Sequence, residues 1–195
     1  MKGYNYMTPQ LHLINFPAAE TFFKPEFLAR VNGIDRTKQN VLVLDAVDAI
    51  NEQHLIFKGN TWSTVYVFFH HLSDTPTKSY LHDDIDHSTN TKSFIPKVNW
   101  TLNDKRVLDF WSNNNVTEIN QESMSEYTHP IIRYSTNIEA EQSYNTNAGD
   151  VYLLNGETPH QATSYNDSFS ISIVSDSLTF LSWEQIVELF TDEII

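Results

Sequence analysis

The sequence predicts a mainly β fold, a sandwich or barrel of short strands with helices decorating its ends. Three observations lead there. Six runs rich in β-branched and aromatic residues follow one another at close spacing between residues 63 and 174, each bounded by Asn, Asp, Ser or Gly. Helical signals occur only toward the two ends of the chain. At 195 residues, with 40% apolar and 13% aromatic side chains, the chain can close one core but is short for two. The expected organisation is a single domain over 1–195, with a flanking segment over 1–60, a β core over 61–175 and a C-terminal helix over 176–195.

In chain order, Pro25 at a first-turn position and Gly33 beyond the last apolar residue frame a helix over Glu26 to Asn32. Val41 to Asp45 reads as a strand, followed by an ambiguous turn of helix from Ala46 to Asn51. The six strand runs are Ser63 to Leu72, Phe94 to Leu102, Val107 to Trp111, Ile131 to Ile138, Asp150 to Leu154 and Phe169 to Val174. Ser182-Trp183-Glu184-Gln185 has capping-box form ahead of Ile186, Leu189 and Phe190, which predicts an amphipathic helix.

Composition limits the partners. Twelve Lys+Arg against 25 Asp+Glu give a net charge of -13, a long-range field that repels phosphate backbones and anionic lipid, so nucleic acid is not expected. With no cysteine there is no disulfide framework and no thiolate metal site, leaving His, Asp and Glu as metal ligands. No apolar run approaches the roughly 18 residues of a membrane span, and no signal-peptide pattern opens the chain. A cytoplasmic protein without membrane contact is the expectation.

Two islands stand out: His82-Asp83-Asp84, and Gly149-Asp150-Val151 through Pro159-His160. On one strand His82 and Asp84 would point to the same side, because side chains alternate with period two. His160, 78 residues after His82, would return from a neighbouring strand. Two imidazoles and a carboxylate form a face that leaves positions on Fe(II) open to substrate and dioxygen. A competing set of His82, Asp86 and His87 has a spacing that turns the two rings to opposite strand faces, and His87 reads as a lip residue. His70 and His71 end an aromatic strand, whereas His12, His54 and His129 read as surface or satisfied core residues. Trp62, Trp100, Trp111 and Tyr152 are either pocket walls or core.

At these residues the chain resembles small Fe(II)/2-oxoglutarate-dependent oxygenases of the double-stranded β-helix (jelly-roll, cupin-like) superfamily. The resemblance rests on His82-Asp83-Asp84, Val98-Asn99-Trp100-Thr101-Leu102, Asp109-Phe110-Trp111, Gly149-Asp150-Val151 through Pro159-His160, and Phe169 to Ile173; it spans roughly residues 63 to 175. It implies a double-stranded β-helix with flanking N- and C-terminal helices, Fe(II) bound by His82, Asp84 and His160, 2-oxoglutarate as co-substrate, and hydroxylation of a small-molecule or peptide substrate by dioxygen. Many relatives carry an Arg eight to ten residues after the distal His to hold the far carboxylate of 2-oxoglutarate; here Ser168, Phe169 and Ser170 occupy that stretch, and no Lys or Arg follows Arg133.

The anion therefore needs a cation from earlier in the chain. Lys97, 15 residues after His82, is the first choice by likeness to Jumonji-like hydroxylases, with Ser79, three residues before His82, adding a hydroxyl. Arg133 is the second choice, and Asn99 shares the Lys97 face. Two other readings stay open: a cupin-like binding or structural protein, and a cupin enzyme that uses metal without 2-oxoglutarate.

Overall fold

The structure is a computed structural model that describes residues 8–35, 41–69, 76–86, 93–94, 96–122, 131–165 and 169–191. Its main body is two antiparallel sheets. The strands are β1 (Leu11–Leu13), β2 (Val41–Asp45), β3 (Thr64–Phe69), β4 (Thr77–Lys78), β5 (Lys97–Thr101), β6 (Arg106–Phe110), β7 (Gln142–Thr146), β8 (Val151–Leu154), β9 (His160–Ser164) and β10 (Phe169–Val174). The large sheet runs β1-β8-β5-β10-β3-β2 and the small one β7-β6-β9-β4. A hairpin of Thr117–Glu122 with Ile131–Ser135 joins the edge of the small sheet through His82, which bridges Arg133 on one side and His160 on the other.

Alternation along the large sheet separates two environments. On one face Val65, Val67, Val98, Trp100, Leu153, Ile171 and Ile173 pack beneath Phe22, Phe23, Phe27 and Val31 from the N-terminal segment and Trp183, Ile186 and Phe190 from the C-terminal helix. Burying each such side chain contributes about 1.5–3 kcal/mol. Trp100 also donates its indole N–H to the Pro17 carbonyl at 3.0 Å, which ties the N-terminal segment to the sheet.

The opposite face looks onto the small sheet. Tyr152 and Leu154 of the large sheet meet Leu108, Phe110 and Ala162 of the small one. Beside this apolar patch the same face carries Lys97, Asn99, Thr101, Ser170 and Ser172, all buried. A buried polar inner face signals a site, because polar groups hidden from water need partners.

Most of the predicted elements are present. The helix over Pro25–Asn32 and the strands over Val41–Asp45 and Phe169–Val174 lie where expected. The ambiguous turn after Asp45 is a short helix over Ala46–Ala49, followed by a 3-10 turn over Glu52–His54. Ser63 to Leu72 is a strand over Thr64–Phe69, with Leu72 outside the described residues. Phe94 to Leu102 is divided: Ser93–Phe94 pairs with Ile85–Asp86, and the large-sheet strand begins at Lys97, after Pro96, which has no N–H for a ladder. The run from Ile131 ends at Ser135.

The capping box forms at Ser182. Its backbone N–H donates to Gln185 Oε1 at 2.8 Å and its Oγ accepts from the Gln185 N–H at 3.3 Å, opening the helix Trp183–Thr191. Ile186 and Phe190 are buried and Leu189 half-buried against the large sheet's outer face.

Candidate metal centre

His82 and His160 are brought together by backbone pairing. Each N–H donates to the other's carbonyl, at 3.0 and 2.8 Å, so the two residues sit directly opposite with side chains on one face. Their rings lie 4.6 Å apart, centre to centre. Each ring is oriented by a carbonyl two residues back: Tyr80 O at 2.8 Å from His82 Nδ1 and Thr158 O at 2.9 Å from His160 Nδ1. Because a carbonyl only accepts, both Nδ1 atoms carry a proton, which leaves the Nε2 atoms as the ones that can meet a ligand.

Asp84 reaches the same point by a different route from the one expected. Asp83 and Asp84 belong to no strand, and His82 makes only an isolated bridge, so period-two alternation does not align His82 with Asp84. Instead the Asp84 N–H donates to the Gly156 carbonyl at 2.8 Å. The approach is so close that a Cβ on Gly156 would fall 2.6 Å from the Asp84 Cβ. Gly156, in the loop before His160, therefore seats the carboxylate.

The Asp84 oxygens lie 3.9 Å from His82 Nε2 and 3.7 Å from His160 Nε2, and one ligand atom from each residue falls within 4.8 Å of the others. One divalent ion with bonds of about 2.1 Å fits between three such atoms with modest contraction. The donor set is borderline-hard nitrogen and oxygen, suited to Fe, Mn, Ni or Zn. Burial, and then the neighbouring His82, lower the His160 pKa to about 4, so it is a neutral donor at pH 7. Burial would raise Asp84, but Lys97, His160 and His82 outweigh it and hold the carboxyl well below its usual range.

The triad opens into a cavity of about 100 Å³ between the sheets. Its apolar wall is Phe68, Leu108, Tyr152, Leu154 and Ala162; its polar lining is Ser79, Lys97, Asn99, Arg106, Ser170 and Ser172. Asp84 is the single carboxylate in this lining among the described residues.

The residues expected to hold an anion divide sharply. Lys97 lines the cavity, but its Nζ lies 2.7 Å from Asp84 Oδ1, so the ammonium is bound to the triad's own carboxylate. Asn99 is held by its neighbours, donating to Lys97 O at 3.1 Å and accepting from Ser172 Oγ at 2.5 Å. The Ser79 hydroxyl donates to Tyr80 O at 3.0 Å and accepts from the Ala162 N–H at 2.9 Å, which uses its only proton. Arg133 pairs its backbone with His82, yet its guanidinium lies 3.4 Å above the exposed Tyr80 ring and does not line the cavity.

Arg106 was not expected. It opens β6 and is only 7% exposed. Its Nη1 donates to Ser170 Oγ, and its Nε has no partner. The sequence pattern starts the strand one residue later, at Val107, and places Arg106 in the turn after Asn103-Asp104-Lys105.

Of the remaining histidines, His12 packs on Trp183 and His54 on Phe22. His70, His71, His87 and His129 lie outside the described residues, as does the Asp86 side chain. Trp62 and Trp100 belong to the core under the helices and Tyr152 to the cavity wall, while Trp111 is buried and donates its indole N–H to Ile138 O at 3.2 Å. No described helix is long and apolar enough to cross a membrane.

No protein-family model matches the chain, and no curated protein matches it. Among solved structures it is similar to the X-ray structure of E. coli ycfD, at 10% identity and a TM-score of 0.33, over 66% of this chain and 28% of that one. A likeness that weak carries no argument about either fold or chemistry. The chain is thus placed by its own geometry: a mainly β, sandwich-like protein with a His82-Asp84-His160 cluster able to bind a metal ion.

Proposed function

We propose that the protein is an Fe(II)- and 2-oxoglutarate-dependent oxygenase, a hydroxylase whose two sheets form a double-stranded β-helix. The observation that carries this is the pairing of the triad with its surroundings: two imidazole Nε2 atoms and one carboxylate converge at a cavity whose lining, among the described residues, otherwise holds two buried cations and no second acid. Such a lining suits a small anionic ligand next to a metal.

Fe(II) bound there would supply dioxygen activation coupled to oxidative decarboxylation of the 2-oxo acid, giving hydroxylated substrate, succinate and carbon dioxide. The chain's part is positional. The Tyr80 and Thr158 carbonyls fix the two imidazoles, the Gly156 loop fixes Asp84, and Phe68, Leu108, Tyr152, Leu154 and Ala162 limit water.

The Lys97–Asp84 contact favours a second reading, a cupin-like protein in which that ion pair is structural and 2-oxoglutarate is not turned over. Two measurements separate the readings. Protein purified under reducing conditions with Fe(II) should hold one ion per chain and, given 2-oxoglutarate and oxygen, should release succinate even without its prime substrate. Bound metal without succinate leaves the second reading; an absence of bound metal removes the first.

A further inference from the structure

We infer that Arg106 receives the far carboxylate of the acid ligand and makes the cavity selective for a dicarboxylic over a monocarboxylic 2-oxo acid. The inference rests on the oxygenase assignment proposed above, and it names a residue that the sequence motifs do not mark.

The first argument is the unmatched charge. Asp84 pairs with Lys97, and the buried Arg106 guanidinium is left without a carboxylate among the described residues. A buried charge lacking a counterion is strongly disfavoured, and Arg cannot shed its proton to escape the penalty. Adding a divalent ion deepens the positive excess. A doubly negative ligand offsets it.

The second is a set of unsatisfied hydrogen-bonding atoms. Arg106 Nε has no partner, which leaves one edge of the planar guanidinium able to grip a carboxylate with two parallel N–H bonds. Ser164 lies directly across from Arg106 in the β6–β9 register, and its buried Oγ is also unpartnered. Ser170 Oγ already accepts from Arg106 Nη1, so its own proton is free to donate. Two donors, on Arg106 and Ser170, thus line one end of the cavity.

The third is spacing. Along β6 and β9 the register reads Phe110 opposite His160, then Leu108 opposite Ala162, then Arg106 opposite Ser164. These three pairs share the inward face, so metal ligand, apolar step and cation follow in line over roughly 13 Å of backbone, part of which the long Arg106 side chain fills. A 2-oxo acid with a methylene chain and a terminal carboxylate presents the same order. Lys97, by contrast, has its amine on Asp84 at the metal end.

The test is calorimetry on the full chain loaded with Mn(II), titrated with 2-oxoglutarate and with 2-oxopentanoate, which has the same five carbons but lacks the far carboxylate. The variants are Arg106→Gln and Arg106→Lys, the second retaining charge in case the first fails to fold. Wild type should prefer the diacid by about 10- to 150-fold, the range for charged hydrogen bonds. Arg106→Gln should lose most of that preference with Mn(II) stoichiometry and 2-oxopentanoate affinity unchanged, and Arg106→Lys should lose part of it. An undiminished preference in either folded variant overturns the role of Arg106 and leaves the oxygenase assignment standing. Wild type that binds Mn(II) and neither acid overturns both, and equal affinity for the two acids overturns the selectivity alone.

Discussion

Removing the Lys97 amine should reveal how the site balances its charge without a metal. Lys97 and Asp84 form a buried pair, with side chains 10% and 5% exposed and 2.7 Å between Nζ and Oδ1. Losing one partner of such a pair leaves the other charged and unsolvated, at a cost of about 3–5 kcal/mol. At roughly 2–4 °C per kcal/mol for a chain of this size, Lys97→Met should lower the Tm of the metal-free protein by roughly 6–20 °C. Methionine keeps most of the side-chain volume, so packing contributes little to that drop.

Metal should reverse the deficit. A divalent ion on Asp84 replaces the ammonium as counter-charge, and in wild type it must first displace Lys97 from Oδ1. Lys97→Met should therefore bind Mn(II) more tightly than wild type, and the two proteins should converge in Tm at saturating metal. Acid should also narrow the gap. Because the folded Asp84 carboxyl is held below its ordinary value near 3.8, its ionised form stabilises the fold above that pH and the contribution is lost as pH falls further. The measurements are thermal unfolding in chelator and in excess Mn(II), from pH 7 down to 3, with calorimetry of metal binding. Equal Tm values in chelator, or a deficit that metal leaves untouched, would refute the argument.

Three further perturbations test the site and the fold. Gly156→Ala places a Cβ 2.6 Å from the Asp84 Cβ, where ordinary contact is 3.4–4 Å; overpacking of about 1–3 kcal/mol and an at least roughly tenfold weaker Mn(II) affinity should follow, read by unfolding and calorimetry. His160→Ala should abolish stoichiometric Fe(II) binding and any succinate formation, and full metal occupancy in that variant, measured by elemental analysis, would remove His160 from the ligand set. Ser182→Ala should cost about 1 kcal/mol through loss of the cap while metal affinity stays at the wild-type value, since the helix Trp183–Thr191 packs on the outer face of the large sheet.

How legible each element is in the sequence depends on whether its stabilising partner is local. Val41–Asp45 and Phe169–Val174 carry their apolar pattern in their own residues, and the capping box at Ser182 is complete within four positions. By contrast β7 (QSYNT) and β9 (HQATS) are mostly polar and carry no apolar strand pattern of their own, yet both are strands because β6 supplies their ladder partners. Nothing within either segment announces that neighbour. Pro96 shows the converse: a visible breaker inside an expected strand divides it as its chemistry requires.

The metal ligands illustrate a correct set reached through an incomplete cause. His82, Asp84 and His160 do converge, but reciprocal backbone bonds between His82 and His160 and a glycine contact beneath Asp84 bring them together, not alternation along one strand. Lys97 does face inward as its position beside Asn99 predicts, and what spacing could not give was its partner, since Asp84 arrives from outside the sheets. Arg106 was hidden by a boundary shifted one residue, where a charged residue beside Asn103-Asp104-Lys105 reads as part of a polar turn. Extending β6 back by one position puts Arg106 in phase with Leu108 and Phe110, and only then does a cation fall on the inner face. Among the described residues the cavity lining holds two buried cations, Lys97 and Arg106, and one carboxylate, Asp84. The anionic ligand proposed for the cavity would offset that excess of positive charge.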